Sequence, residues 1–306
     1  FSHITDPTAP SDLIFTGSAN TATVNNTSVF IHSITFAAGA AQFSASGAFI
    51  ALDAGATITN NSAFVQTLSF TTTPGFGGIS LFDLPAGVTP APPIITFNAA
   101  TAGLLIASDL AFIGPATLVV TGASNTTITG IISDAGIPAF NGALVKNGTG
   151  TLTLTAQNTF PGNTTVNGGT LLVNGSIASR NTFVNAGGTL GGIGLIGGNV
   201  FNSGNVAPGT SPGTLRIGGN YTQTSSGTLT IEIAGKKSGQ YDVLTVGGQA
   251  LTVTRLEALM HKLVVEAGKG NNKARRLLLP ELMSFHEMKW NRGAPDIVFS
   301  TRRKLI

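Results

Sequence analysis

The chain has 306 residues, no cysteine, 40 glycines, only 9% charged residues and a net charge of +3. That composition excludes a disulfide framework and a thiolate metal site, and its 42% hydrophobic content, alternating with Thr, Asn and Ser, excludes intrinsic disorder. Glycine does not fall at every third position, as collagen requires, and no apolar run approaches ~18 residues, so no transmembrane segment is expected.

In chain order, the first region reads as short strands and corners: 33–36, 48–52, 56–62, 66–70 and 116–120. Phe36, Phe43, Phe49, Phe64, Phe70 and Phe97 are placed to stack along an interior. Residues 71–93 carry Pro74, Pro85, Pro90, Pro92 and Pro93. Proline is kept out of interior strands, so this stretch reads as an excursion loop. A phrase then begins to recur. Gly-Thr-Leu occurs at Gly150, Gly169, Gly188, Gly213 and Gly227, and the first two steps are both 19 residues. Around it, 151–155, 170–173 and 228–233 alternate apolar and polar residues, as strands with one buried face do. Asn147-Gly148, Asn167-Gly168-Gly169 and Gly218-Gly219-Asn220 punctuate them as tight corners. About 19 residues at roughly 3.3 Å each give room for about three short strands and three corners. That is one coil of a parallel β-helix, each coil burying its apolar face by stacking on the next.

After Val253 the character changes. Residues 1–254 hold five basic and eight acidic residues, a balance of −3, whereas 255–306 hold eleven and five, a balance of +6. Thr254 and Glu257 have capping-box spacing, Leu256, Leu259, Met260, Leu263 and Val264 keep helical periodicity, and a second helix is predicted from Pro280 to about Trp290. The division is therefore a β-helix over 1–253 and a basic, helical tail over 254–306. A natural cap, a fused segment and a shifted reading frame all fit that tail.

Residues 142–175 carry Leu144, Lys146, Gly148, Gly150 to Leu154, Asn158 to Phe160, Gly162, Thr165, Gly168 and Thr170-Leu171 in one register. This closely resembles the passenger-associated strand repeat of bacterial autotransporters, with Pro161 and Asn163 departing from it at the turn. Residues 204–250, with Gly209, Ser211-Pro212-Gly213, Tyr221 and Gln240-Tyr241-Asp242, resemble the distal passenger segment, and 33–68 match more loosely. The resemblance is strongest over 142–250 and does not cover 254–306. It implies a right-handed parallel β-helix, secreted or held at the bacterial cell surface and associated with the outer membrane. It implies a structural or adhesive role, with host or bacterial cell surfaces or glycans as partners. It also implies an outer-membrane translocator barrel, which is not recognisable in this sequence. A chain starting at Phe1 is expected to be a fragment whose export signal was lost or removed.

No catalytic, cofactor-binding or metal-binding residue is assigned, and the chain is read as a non-enzyme. A β-helical carbohydrate-active enzyme needs converging carboxylates, and the eight in the body are scattered. Asp53 with Asp83, or Asp109 with Asp134, are the pairs that stacking could unite. A serine protease needs a histidine, and the body offers His3 and His32. The glycines of 191–198 lack the aspartate of a calcium-binding nonapeptide. Asn25, Asn125, Asn163, Asn174 and Asn220 match an acceptor pattern for glycosylation, which composition explains. The basic tail is read as solvated, and no nucleic acid partner is expected. The competing readings are the carbohydrate-active enzyme and an inert spacer that presents a missing head domain.

Overall fold

The computed structural model describes residues 11–18, 22–73, 76–82, 93–135, 141–210, 212–232, 241–251 and 297–300. Among these, every regular element is a strand. The chain lays down three strands per circuit, one on each of three faces. One circuit comprises Gln157–Asn158, Thr164–Val166 and Gly169–Val173. The next comprises Ser176–Ile177, Asn181–Val184 and Gly188–Gly192, each strand parallel to its predecessor. Leu195–Ile196, Asn199–Asn202 and Asn205–Pro208 follow in the same way. The result is an all-β parallel solenoid of about 9 turns.

Its strands form sheets of thirteen, eleven and six members among the described residues. The largest spans two faces, because Ile50–Asn60 bends round a corner. Ile50 to Leu52 pair with Ile79 to Leu81, while Thr57 to Asn60 pair with Thr96 to Ala99. Within the expected Pro-rich excursion, Ile79–Phe82 is thus a strand, joined on its other side to Leu110–Ile113; residues 74–75 and 83–92 lie outside the described set. The helices predicted after Thr254 also lie outside it. From that region Ile297–Ser300 is a strand parallel to Thr228–Glu232, with Ile297 opposite Leu229 and Phe299 opposite Ile231. The sheets' one antiparallel strand pair among the described residues is Val243–Val246 with Gln249–Leu251.

The recurrent phrase has a structural meaning. Thr151, Thr170 and Thr189 stand in one column, as do Leu152, Leu171 and Leu190. Each Leu is fully buried and each Thr faces outward. Thr228 extends that column through Asn205. Thr214 does not: it belongs to the six-stranded sheet, on another face. The glycines sit where successive coils touch. A Cβ at Gly150 would lie 2.0 Å from the Ser124 carbonyl oxygen, and Gly169 combines a φ of +62° with a 2.4 Å approach to the Gly150 oxygen.

The apolar core is one continuous column from Ile31 to Leu244. Phe36, Phe43, Phe70 and Phe97 lie in it as expected. Phe64 does not, being 51% exposed at a corner, and Phe49 leaves the interior to stack on Phe76, with ring centroids 5.5 Å apart. Buried asparagines close the corners from inside. Asn60 donates to the carbonyls of Phe64 and Gly103 and accepts from Ser62; Asn158 donates to Ser176 and accepts from the Ile132 amide.

Two substitutions test this packing. Gly150→Ala is expected to destabilise by about 1–3 kcal/mol, since a backbone oxygen cannot move aside, whereas Gly39→Ala, with open space around it, should be near neutral. Leu171→Ala should cost about 2–5 kcal/mol. Denaturant midpoints of the purified variants measure both.

Candidate functional surface

The face carrying Ala143–Lys146, Thr164–Val166, Asn181–Val184, Asn199–Asn202 and Tyr221–Gln223 shows an ordered array of outward side chains. Strand alternation sends Leu144, Thr164, Thr182 and Val200 inward. The residues between them form an outward column of Val145, Thr165, Phe183, Phe201 and Thr222 in direct register. Phe183 and Phe201 are half-buried and stacked, with centroids 5.2 Å apart and planes at 17°.

Two asparagine ladders flank this column. On one side Asn181 donates to Asn163 at 3.4 Å, Asn199 donates to Asn181 at 3.1 Å, and the Asn199 oxygen accepts the Asn220 amide at 2.9 Å. On the other side Asn167 donates to Asn147 at 2.9 Å and Asn185 donates to Asn167 at 2.7 Å. Sequence reasoning took Asn147 and Asn167 for corner residues and Asn163 and Asn220 for glycosylation acceptors, and it passed over Asn181, Asn185 and Asn199. The signal that would have found the array is Asn-x-x-x-Asn, present at 163–167 and again at 181–185, 18 residues apart.

Lys146 is the basic residue of the repeat motif, and it points into the solenoid, 2% exposed. Its ammonium donates to the carbonyls of Asn147, Gly148 and Gly168, tying one corner to the next coil. Burial pushes its pKa down to about 8 from 10.5. Asp242, only 8% exposed, accepts the Gly213 and Glu232 amides and so clamps two faces together. Desolvation raises its pKa, as it does for Asp134, against the lowering effect of the amides that each accepts.

Among the described residues the candidate catalytic groups are engaged separately, except that His32 and Asp53 meet. Asp109 accepts the Ile131 amide and the Thr72 hydroxyl, and Asp134 accepts the Gly142 amide. Asp53 meets His32 Nδ1 at 2.9 Å, at a site where the histidine is 47% exposed. Ser33, beside it, gives its hydroxyl to Asp12 instead. Asp83 and His3 lie outside the described residues. Among the described residues no group of three His, Asp or Glu side chains could hold a metal ion, and no helix is long and apolar enough to cross a membrane, which says nothing of a β-barrel.

The class defined by these coils is the parallel β-solenoid with an amide-lined outer face. Residues 144–173, which supply Lys146, Phe160 and the leucines Leu152 and Leu171 of the column, match the passenger-associated-transport-repeat. The chain is 41% identical over 91 residues to the adhesin BmaC autotransporter of Brucella suis, a stretch covering 28% of this chain and 2% of that protein. It is 45% identical over 78 residues to an extracellular serine protease of Serratia marcescens, covering 25% of this chain and 7% of that protein. The repeat and the matched stretches make this solenoid similar to autotransporter passenger sequence over part of its length. It spans less than a tenth of the length of either relative.

The Lys146 site generates a pH prediction. The unfolded chain holds this proton to about 10.5 and the folded one to about 8, so between those values the unfolded state binds more protons and stability should rise with pH. Lys146→Met leaves three carbonyls without their donor. It should cost about 1–3 kcal/mol at pH 7 and abolish the alkaline rise in denaturant midpoint. For Asp134 and Asp242 the sign is opposite. Their raised folded pKa values add stability in acid that is lost as pH rises through them, so melts at pH 4 should show no loss at these two sites relative to pH 7.

Proposed function

We propose that this solenoid is a structural and adhesive segment of a passenger, presented outside the outer membrane by a translocator barrel, and that it is not an enzyme. One observation carries the reading. The outward columns of this face consist of Thr, Asn, Val and Phe in register, while Asp12, Asp109, Asp134 and Asp242 are each spent on backbone amides or hydroxyls and Asp53 meets only the exposed His32. Acid–base catalysis needs two such groups on one substrate atom's surroundings; adhesion needs area and rigidity. Similarity to a protein named an adhesin supports the reading. The serine protease shares only 7% of its length with this chain, a portion compatible with a shared stalk. A secreted or cell-surface location follows from the same relatives, and cell surfaces or their glycans are the partners the face suits.

Beads coated with the purified chain test this. Saturable adherence to cultured epithelial or bacterial cells, above that of albumin-coated beads, is expected, with no cleavage of polysaccharide or casein. Background adherence would overturn the reading in favour of an inert spacer, and release of reducing ends or peptides would overturn it in favour of an enzyme.

A further inference from the structure

We propose that the stacked pair Phe183 and Phe201, with the asparagine ladders on either side, is a binding platform for a neutral oligosaccharide. This rests on the adhesive reading and gives it a site and a ligand class. A pyranose ring has an apolar C–H face and a rim of hydroxyls that both donate and accept. Such a ligand is held by an aromatic surface beneath the ring and by uncharged groups of mixed donor and acceptor character around it.

The platform supplies both. The two rings stand outward, half-buried and in van der Waals stacking, so they are held in place before any ligand arrives. Asn181 and Asn185 lie two residues either side of Phe183 on the same outward alternation, and Asn199 lies two residues before Phe201. A primary amide has two donor hydrogens and an acceptor oxygen with two lone pairs. In the ladder Asn181 uses one donor on Asn163 and one lone pair for Asn199, which leaves one of each for a ligand. The ladder bonds also fix the amide orientation, so little side-chain entropy remains to be lost on binding.

Charge selects the ligand further. Neither ladder nor the aromatic column contains an ionisable side chain, so a neutral sugar meets no unpaired charge and an acidic one gains no partner from the platform. Arg180, exposed at the corner before Asn181, is the cation an acidic glycan would need. Repetition sets the direction. The asparagines recur from coil to coil, about 4.8 Å apart, so a linear oligosaccharide is accommodated along the solenoid axis, one sugar ring resting on the joined outer edge of the Phe183–Phe201 stack and its neighbours on the amides.

The test is titration of the purified chain against a panel of neutral gluco-, manno- and galacto-oligosaccharides, with sialylated and sulfated ones alongside. Binding of at least one neutral series is expected, lost by tenfold or more in Phe183→Ala/Phe201→Ala and retained in Phe183→Tyr/Phe201→Tyr. Leu172→Ala, an outward change on another face, should bind as the parent does, and circular dichroism melts identify any variant that fails to fold. Neutral binding that survives loss of both rings in a folded variant would overturn the proposal, as would binding confined to acidic glycans. Bead adherence separates the two readings: adherence that persists in the Phe183→Ala/Phe201→Ala variant overturns this site alone, whereas parent chain without adherence overturns the adhesive function itself.

Discussion

Every feature of this molecule depends on one coil's backbone hydrogen-bonding to the next at strand spacing, about 4.8 Å. That bond ladder leaves no room for choice at the contact points. Where chains turn, the incoming carbonyl occupies the space a Cβ would take, as the Ser124 oxygen does at Gly150, so the corners are glycine. Where chains run straight, whatever side chain one coil presents meets the same position on the next. Leucines therefore stack inside, asparagines bond to asparagines outside, and phenylalanine lies on phenylalanine. Lys146 and Asn158 enter the core where a corner supplies their partners. Lys146 is held by three carbonyls, and Asn158 by backbone groups from two neighbouring coils.

The same constraint explains what could be read from the sequence. Spacing of 19 residues between Gly150, Gly169 and Gly188 translates directly into register, because those coils have no insertions. Coil length is otherwise free, since loops at the corners absorb extra residues without disturbing the ladder. Gln66 pairs with Leu104, 38 residues on, but Thr189 with Asn205, only 16 on. Periodicity therefore fades in the N-terminal half, and the strand at Ile79–Phe82 was hidden among prolines. Nor does local sequence say which of three faces a phrase occupies. Gly213-Thr214-Leu215 reads like its fellows and stands on a different sheet, because each face asks only for a small corner residue, an outward Thr and an inward Leu.

The candidate surface was less legible than the fold for a related reason. Asn163, Asn181 and Asn199 look like punctuation when each is judged by its own neighbours. Their bonds are to residues 18 positions away, and only the stacked coils bring them together. Phe49 and Phe64 show the converse. Their hydrophobicity pointed to the interior, but strand alternation and the bend of Ile50–Asn60 left them outside, where Phe49 found Phe76.

A fold made by repetition also limits chemistry. Catalysis concentrates different groups at one point and excludes water from it. A solenoid face places identical groups at equal intervals along a line, with its interior filled by side chains from Ile31 to Leu244. An enzyme on such a scaffold must interrupt the register to gather unlike residues, whereas Asp109, Asp134 and Asp242 are each spent on holding a corner. What the lattice provides instead is recurrence: a weak contact at one coil is offered again at the next. A partner that is itself repetitive, linear and uncharged can engage several at once, and the second engagement is intramolecular. On the adhesive reading proposed above, that regularity is what suits the face to holding a polymer.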